Sequence, residues 1–535
     1  MAAAAPPPPA LQTDAAVVDI DEADNTAAVP VDYGYGPGVA RPGKRLARAI
    51  AAAQAMKPFS VPVGSTSAGT VGFYGRAVPW PVIPISATLM PDGRVMSFGT
   101  DGQGNQGAQL IYDVWDPTRG LDLGAHLVLP NVTETDIFCG GASLLTGTGQ
   151  VLLVGGDLTI GGKRNFSNNL AEIFNPTTNT ISAAAPMQYA RWYPSVISMP
   201  SGERVVLGGR ISPTAAAITP EVYNPTNGWR ALDGASSDTA FNFRSLGWYY
   251  PRGYVTRLGQ VFILGPDGAM WSLNPTGSGS LTRYRNMAPP GLRWLPVVMY
   301  TPGTILALRA NATSVTIGIN GVAPVATDAG MVSQDRIWAN GTVLADGTVV
   351  VTGGSAVVNA LTGIAYQNET WDPATRQWTR GAVATKPRLY HSIALLLPDG
   401  SVLTAGGGAP GPLRNLNAEI YYPPYLYLKD GSGQPAPRPS IVTSPSEVVL
   451  GSAFQATVGA TDRIVRVAMM RLGSVTHSNN ADQSHHQVPF RQTGAALTVT
   501  LPTDKGIMPP GHYMMFAFNR AGVPSIASIM RVSTP

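Results

Sequence analysis

Cysteine is nearly absent: the 535-residue chain has one, Cys139. A single thiol excludes an intramolecular disulfide framework and a thiolate-rich zinc site. Charge is scarce too, with 13% of residues Asp, Glu, Lys or Arg. Long salt-bridged helices are therefore not expected. The formal net charge is +4, but beyond the N-terminal stretch there is no dense Lys/Arg run, so nucleic acid is not the expected partner. No apolar run approaches the roughly 20 residues of a membrane-spanning helix. Histidine is confined to six positions, His126, His391, His477, His485, His486 and His512.

Glycine (60) and proline (47) are plentiful, as in chains of many short strands and turns. Residues 1–65 differ in kind. They open MAAAAPPPPA, pass through the acidic DIDEAD, and read as an Ala/Pro-rich flexible extension in which Lys44–Met56 could form a short helix. A basic n-region ahead of a continuous apolar core, the mark of a secretory signal, does not open the chain.

From about residue 66 the sequence repeats. A turn leading into a β-rich run recurs as PDGRVMSFG (91–99), TGQVLLVGG (148–156), SGERVVLGG (201–209), LGQVFILG (258–265), PGTILAL (302–308), DGTVVVTGG (346–354) and DGSVLTAGG (399–407). A second phrase follows most of these runs: DVWDPT, EIFNPT, EVYNPT, SLNPT, ETWDPA and EIYYPP. The spacing is near the roughly 50 residues of a kelch repeat. Residues 66–433 are therefore expected to form a seven-bladed kelch-type β-propeller. Residues 434–535 leave the period, and their alternating strands predict an immunoglobulin-like β-sandwich in an all-β protein.

Counting back from the glycines aligns the blades. Cys139 lies 16 residues before Gly155, and Tyr193 lies 15 before Gly208. Tyr249 and Tyr250 lie 16 and 15 before Gly265, Trp338 lies 15 before Gly353, and Tyr390 and His391 lie 16 and 15 before Gly406. Equal places in repeats are equal places in blades, so these side chains should ring one end of the central channel. Cys139 then takes the place that Tyr193 and Tyr390 hold in their own repeats. Neighbours on a regular strand face opposite ways, so Tyr390 and His391 can both serve the channel only at an irregular strand end.

Arginine stands two residues before the aromatic in ARWY (190–193), DRIW (335–338) and PRLY (387–390), where Arg191 and Arg388 read as braces between strands. A loop of the sandwich, RLGSVTHSNNADQSHHQVPF (471–490), offers His477 as a second channel histidine. His485 and His486 read as exposed polar residues, and His126 and His512 have no special context. Two imidazoles and two phenols suit a tetragonal Cu(II) site with N and O ligands.

Four motifs, IFCGGAS with Cys139, ARWYPS with Tyr193, RLYHSIALLLPDG with Tyr390 and His391, and GSVTHSNNADQ with His477, occur in one order. In this the chain resembles the galactose oxidase/glyoxal oxidase-type copper radical oxidases over residues 66–535, closest to the two-domain glyoxal oxidase-like branch. The resemblance implies one copper ion held by Tyr193, Tyr390, His391 and His477, and a Cys139–Tyr193 thioether that stores a radical. It implies Tyr390 as axial ligand and proton acceptor, and Arg336 as the arginine that binds substrate. Oxidation of a primary alcohol, or of an aldehyde as its hydrate, would then reduce O2 to H2O2.

The family also places an aromatic over the cross-linked tyrosine. LGWYYPRGY (246–254) departs from the galactose oxidase pattern there and offers Trp248, Tyr249 or Tyr250, while Trp192, next to Tyr193, could instead face the blade core. The family's usual location is extracellular or at the cell surface, and the chain reads as a monomer. N-x-S/T sequons stand at Asn131, Asn165, Asn311, Asn340 and Asn368. The alternative, a non-catalytic propeller that binds a glycan or protein, does not require the five residues Cys139, Tyr193, Tyr390, His391 and His477 together.

Overall fold

The computed structural model describes residues 60–535, except 108–110, 134, 161–162, 245 and 292–293. The Lys44–Met56 segment lies outside the described residues. The protein is almost wholly antiparallel β-sheet. Among the described residues, successive stretches of chain fold into four-stranded meanders, all but the last built from strands in chain order. The first uses Ser86–Leu89, Val95–Phe98, Ile111–Trp115 and His126–Pro130. The sixth uses Asn340–Val343, Val349–Thr352, Gln367–Asp372 and Gln377–Val383. The turn-and-run phrases of the sequence form the second strand of each sheet. Asp-Gly closes the preceding hairpins: Gly93 and Gly400 adopt φ of 84° and 82°, a region that glycine enters without a Cβ clash.

First and second strands are mostly buried, and wholly so in Val349–Thr352 and Ser392–Leu396, because neighbouring sheets cover both faces. The fourth strand of the fourth sheet, Ser280–Met287, is largely exposed. The last sheet takes its outer strand from far upstream. Phe73–Tyr74 pairs with Tyr421 and Tyr422, and Val78–Pro79 pairs with the start of the same strand, Asn417–Tyr422. Contact with the rest of the protein starts ahead of residue 66: Val61 packs on the core, and the Gly64 amide donates to the Gly433 carbonyl.

Residues 441–533 form two further sheets around a core of their own. Phe454, Ala456 and Val458 point inward from one sheet and meet Val467, Met469, Met515 and Ala517 from the other. The alternate residues Ala468, Met470, Met514, Phe516 and Phe518 pack against the repeat sheets instead. One sheet of this unit is therefore buried on both faces. That corrects the expectation for His485 and His486, which retain 9% and 5% of their surface. Both lie on the strand His485–Val488, and the His485 ring lies against Gly347 of the sixth sheet's turn. Burial pushes their imidazoles down to about 4 and about 3. His126 is also buried, with Nδ1 2.9 Å from Asp113 Oδ2. Of the sequon asparagines, Asn131, Asn165, Asn340 and Asn368 are buried and Asn311 is exposed.

The sandwich reaches back into the ring of sheets. Ser474–Thr476 adds to the inner edge of the first sheet, pairing with Ser86, Ala87 and Thr88. The loop that follows is tied to several sheets: Asn479 Nδ2 donates to Ser195 Oγ, Arg252 NH2 to the His477 carbonyl, and Gln483 Nε2 to the Gly341 carbonyl. No helix among the described residues is long and apolar enough to cross a membrane.

Candidate metal and redox centre

The ring residues owe their direction to backbone conformation. Cys139, Tyr193, Tyr250, Trp338 and His391 all have positive φ, at 55°, 68°, 38°, 67° and 63°. Non-glycine residues rarely adopt this region, and each costs about 1 kcal/mol or more there. Each stands two residues ahead of a residue paired with the one preceding the first glycine of the neighbouring strand, as Ser195 pairs with Leu207 and Ile393 with Ala405. Backbone bonds link ring residues of adjacent sheets: the Tyr193 amide donates to the Cys139 carbonyl, and the Tyr250 amide to the Tyr193 carbonyl.

His391, not Tyr390, is therefore the structural counterpart of Tyr193 and Cys139. Relative to ARWY and DRIW, the seventh repeat carries one more residue between its arginine and its left-handed residue. That extra residue is Tyr390. The left-handed turn at His391 supplies the irregular strand end, and the two rings stack with centroids 3.7 Å apart.

His477 enters from the sandwich loop and is itself left-handed, with φ 47°. Its ring centroid lies 4.7 Å from that of His391, 5.5 Å from Tyr390 and 5.6 Å from Tyr193. Cys139 Sγ is 3.5 Å from Nε2 of both His391 and His477. The Tyr193 and Tyr390 hydroxyls are 3.4 Å apart. All five residues are buried.

Hydrogen bonds settle the tautomers of both histidines. His391 Nδ1–H donates to the Gly408 carbonyl at 2.7 Å. Thr476 spends its hydroxyl proton on the Ile85 carbonyl, so its oxygen accepts from His477 Nδ1–H at 2.6 Å. Each Nε2 is thus left with a lone pair turned towards Cys139 and the phenols. Burial lowers the His391 pKa to about 3 and that of His477 well below the usual imidazole range, so both rings are neutral. Neutral imidazoles anchored through the second nitrogen, beside two phenols, make a donor set that fits copper.

Aromatic rings enclose the cluster. Tyr193 has Trp192 at 4.6 Å with planes 23° apart, and Tyr249 at 4.7 Å with planes 32° apart. Trp248 is more distant and tilted, at 5.9 Å and 55°. Tyr250 stacks on His477 at 4.5 Å, and its hydroxyl donates to the Gly140 carbonyl. Trp192 therefore does not turn away into the core of its sheet, and it lies more nearly parallel to Tyr193 than any of the three expected aromatics. Trp338 packs 4.3 Å from Tyr390. The repeat count had placed Trp338 in this ring, but nothing in its motif gave it a role.

Arg336 requires correction. It is 1% exposed, and Nε and NH2 both donate to Glu369 Oε2, while NH1 and NH2 reach the Gly353 and Gln367 carbonyls. Arg191 with Glu221 and Arg388 with Glu419 repeat the plan, each with NH1 on the first glycine of the following strand. Arg336 braces neighbouring strands, and its donors are not turned to a substrate. The glutamates are the first residues of the phrases EVYNPT, ETWDPA and EIYYPP.

The chain is similar to several known proteins. Residues 438–532 match the family model described as galactose oxidase-like, early set domain. A galactose oxidase of Gibberella zeae is 29% identical over 507 residues, covering 86% of this chain and 71% of its own. The aldehyde oxidase GLOX of Vitis pseudoreticulata is 26% identical over 463 residues, covering 76% of this chain and 84% of its own. A solved fungal alcohol oxidase of the AA5 family, in complex with copper, superposes with a TM-score of 0.77 at 26% identity, covering 87% of this chain and 100% of that one. In sequence and in fold, the chain resembles the galactose oxidase and glyoxal oxidase-type copper radical oxidases over most of its length.

Proposed function

We propose that the protein oxidises small primary alcohols, or aldehydes as their hydrates, and passes the two electrons to O2 to give H2O2. The observation that carries this reading is the convergence of both His Nε2 atoms on Cys139 Sγ at 3.5 Å, beside the paired phenols of Tyr193 and Tyr390. His391 and His477 would hold copper through Nε2, and Tyr193 and Tyr390 through their oxygens. Copper bound there supplies a one-electron acceptor beside the phenols. Tyr390 Oη takes the proton of the substrate hydroxyl, and the Tyr193 phenoxyl takes the hydrogen atom from its carbon. The surrounding rings exclude water from both transfers.

The Cys139–Tyr193 thioether belongs to the same proposal. An S–C bond replaces the thiol S–H and a ring C–H, and two electrons and two protons pass to O2. In this reading the meandering sheets of residues 66–433 are seven blades of a kelch-type propeller, and residues 434–535 are the immunoglobulin-like sandwich that delivers His477. A monomer working outside the cell completes it.

Copper-loaded, air-oxidised protein should yield a Cys139–Tyr193 peptide pair lighter by two hydrogens than the sum of its parts, and peroxide with aldehydes or primary alcohols. An unlinked pair would sink the radical mechanism. Activity on galactose alone would overturn the preference for small substrates.

A further inference from the structure

The two strands Trp192–Ser198 and Arg204–Ser212 pair so that Trp192 stands directly opposite Arg210. The guanidinium carbon of Arg210 sits 4.1 Å from the centroid of the Trp192 ring, and Trp192 in turn lies against Tyr193 at 4.6 Å. All three side chains are buried. Cation, indole and phenol thus form one stack away from water. Arg210 NH2 also donates to the Asn165 carbonyl at 3.3 Å, which fixes the guanidinium over the ring. Trp192 Nε1 is buried and has no hydrogen-bond partner among the described residues, whereas Trp248 Nε1 donates to the Phe243 carbonyl at 3.1 Å.

These facts bear on what happens when Tyr193 holds an oxidising equivalent. Trp192, in van der Waals contact, is an obvious electron donor. If it gave one electron, the Tyr193 phenoxyl would become phenolate and the indole a radical cation. That cation would face the Arg210 guanidinium at 4.1 Å in a low-dielectric interior, where like charges repel strongly. Loss of the Nε1 proton would relieve the charge, but Nε1 has no hydrogen-bond partner among the described residues to receive it.

We propose that Arg210 is a positioning residue that makes Trp192 an insulating cover: the indole shields Tyr193 from solvent, and the guanidinium above it keeps the oxidising equivalent on the phenol. The inference rests on the reading of Tyr193 as the redox tyrosine.

The test uses full-length, copper-matured protein and the variants R210M, R210K, W192F and R210M/W192F. Mass analysis first records the Cys139–Tyr193 link in each. Copper is then removed, a one-electron oxidant, hexachloroiridate(IV), generates the radical, and electron paramagnetic resonance follows its decay and its response to ring-deuterated tryptophan. In the wild type and R210K the signal should be insensitive to tryptophan deuteration. In R210M it should respond, and should decay on the order of tenfold faster, the scale of a lost buried cation–π contact. R210M/W192F should regain the wild-type lifetime, and W192F, which tests the same path if R210M fails to fold, should live at least as long as the wild type. A tyrosine-only signal of wild-type lifetime in R210M would overturn the proposal. So would a short lifetime in W192F, or in R210M/W192F equal to that of R210M. A wild type lacking the thioether would fail at the mass step, and would count against the redox reading of Tyr193 before Arg210 is tested.

Discussion

A single side chain decides more here through its backbone than through its chemical type. Tyr390 and His391 both join the cluster because His391 takes φ 63°. Spacing from the glycines follows strand register, and at 15 residues His391 stands where Tyr193 stands in its own sheet. It had no means of saying which of two adjacent residues turned left-handed. Arg336 shows a different limit: the brace motif is legible in two sister repeats, whereas the family resemblance implies substrate binding for the third. Replacing Arg336 with Met leaves Glu369 buried without its cation. Loss of one partner of such a pair costs about 3–5 kcal/mol, so denaturant unfolding should show a fall of that order. A raised KM with unchanged stability would return Arg336 to a substrate-binding role.

At the scale of elements, one segment supports the centre and another carries a buried acid. The loop after Ser474–Thr476 carries His477, and Arg252 grips its carbonyl at 3.1 Å. Arg252→Met should weaken copper binding by about 10–100-fold, the usual cost of losing support behind a metal ligand, as read by chelator competition. The hairpin Asp157–Ile160 with Lys163–Ser167 is anchored by Asp157, which accepts from the Leu158 and Asn165 amides and from Gln106 Nε2. Burial, and then the nearby Asp136 carboxylate, push Asp157 up to about 7. An acid with a raised folded pKa binds more protons folded than unfolded between about pH 4 and 7, so its contribution to stability declines as pH rises through that window. Melting curves should show that decline in the wild type, and Asp157→Asn should flatten it. An equal slope in both would disprove the assignment. Sequence pattern supplied strands and turns here, but gave no sign that a polar run such as SHHQV would be covered on both faces. That follows from how one sheet docks on another, which local alternation does not record.

For the whole molecule, the ring of sheets is fastened at two places remote in sequence: Phe73–Tyr74 on Asn417–Tyr422, and Ser474–Thr476 on Ser86–Leu89. Copper bound inside that ring should stabilise all of it. At free copper 100 times the Kd, linkage adds about 2.7 kcal/mol to unfolding, so Tm should rise with copper and drop on chelation, with ring and sandwich melting together. Separate transitions that ignore copper would refute the coupling. The second fastening also sets a schedule. Cys139, Tyr193, Tyr390 and His391 are synthesised well before His477, and at about 5–20 residues per second the ribosome holds them for seconds as an incomplete set. The last imidazole arrives only with the strand that closes the first sheet. On the proposed function, redox chemistry would thereby be deferred until the fold that contains it is nearly complete, and the nascent chain would be spared its own oxidant.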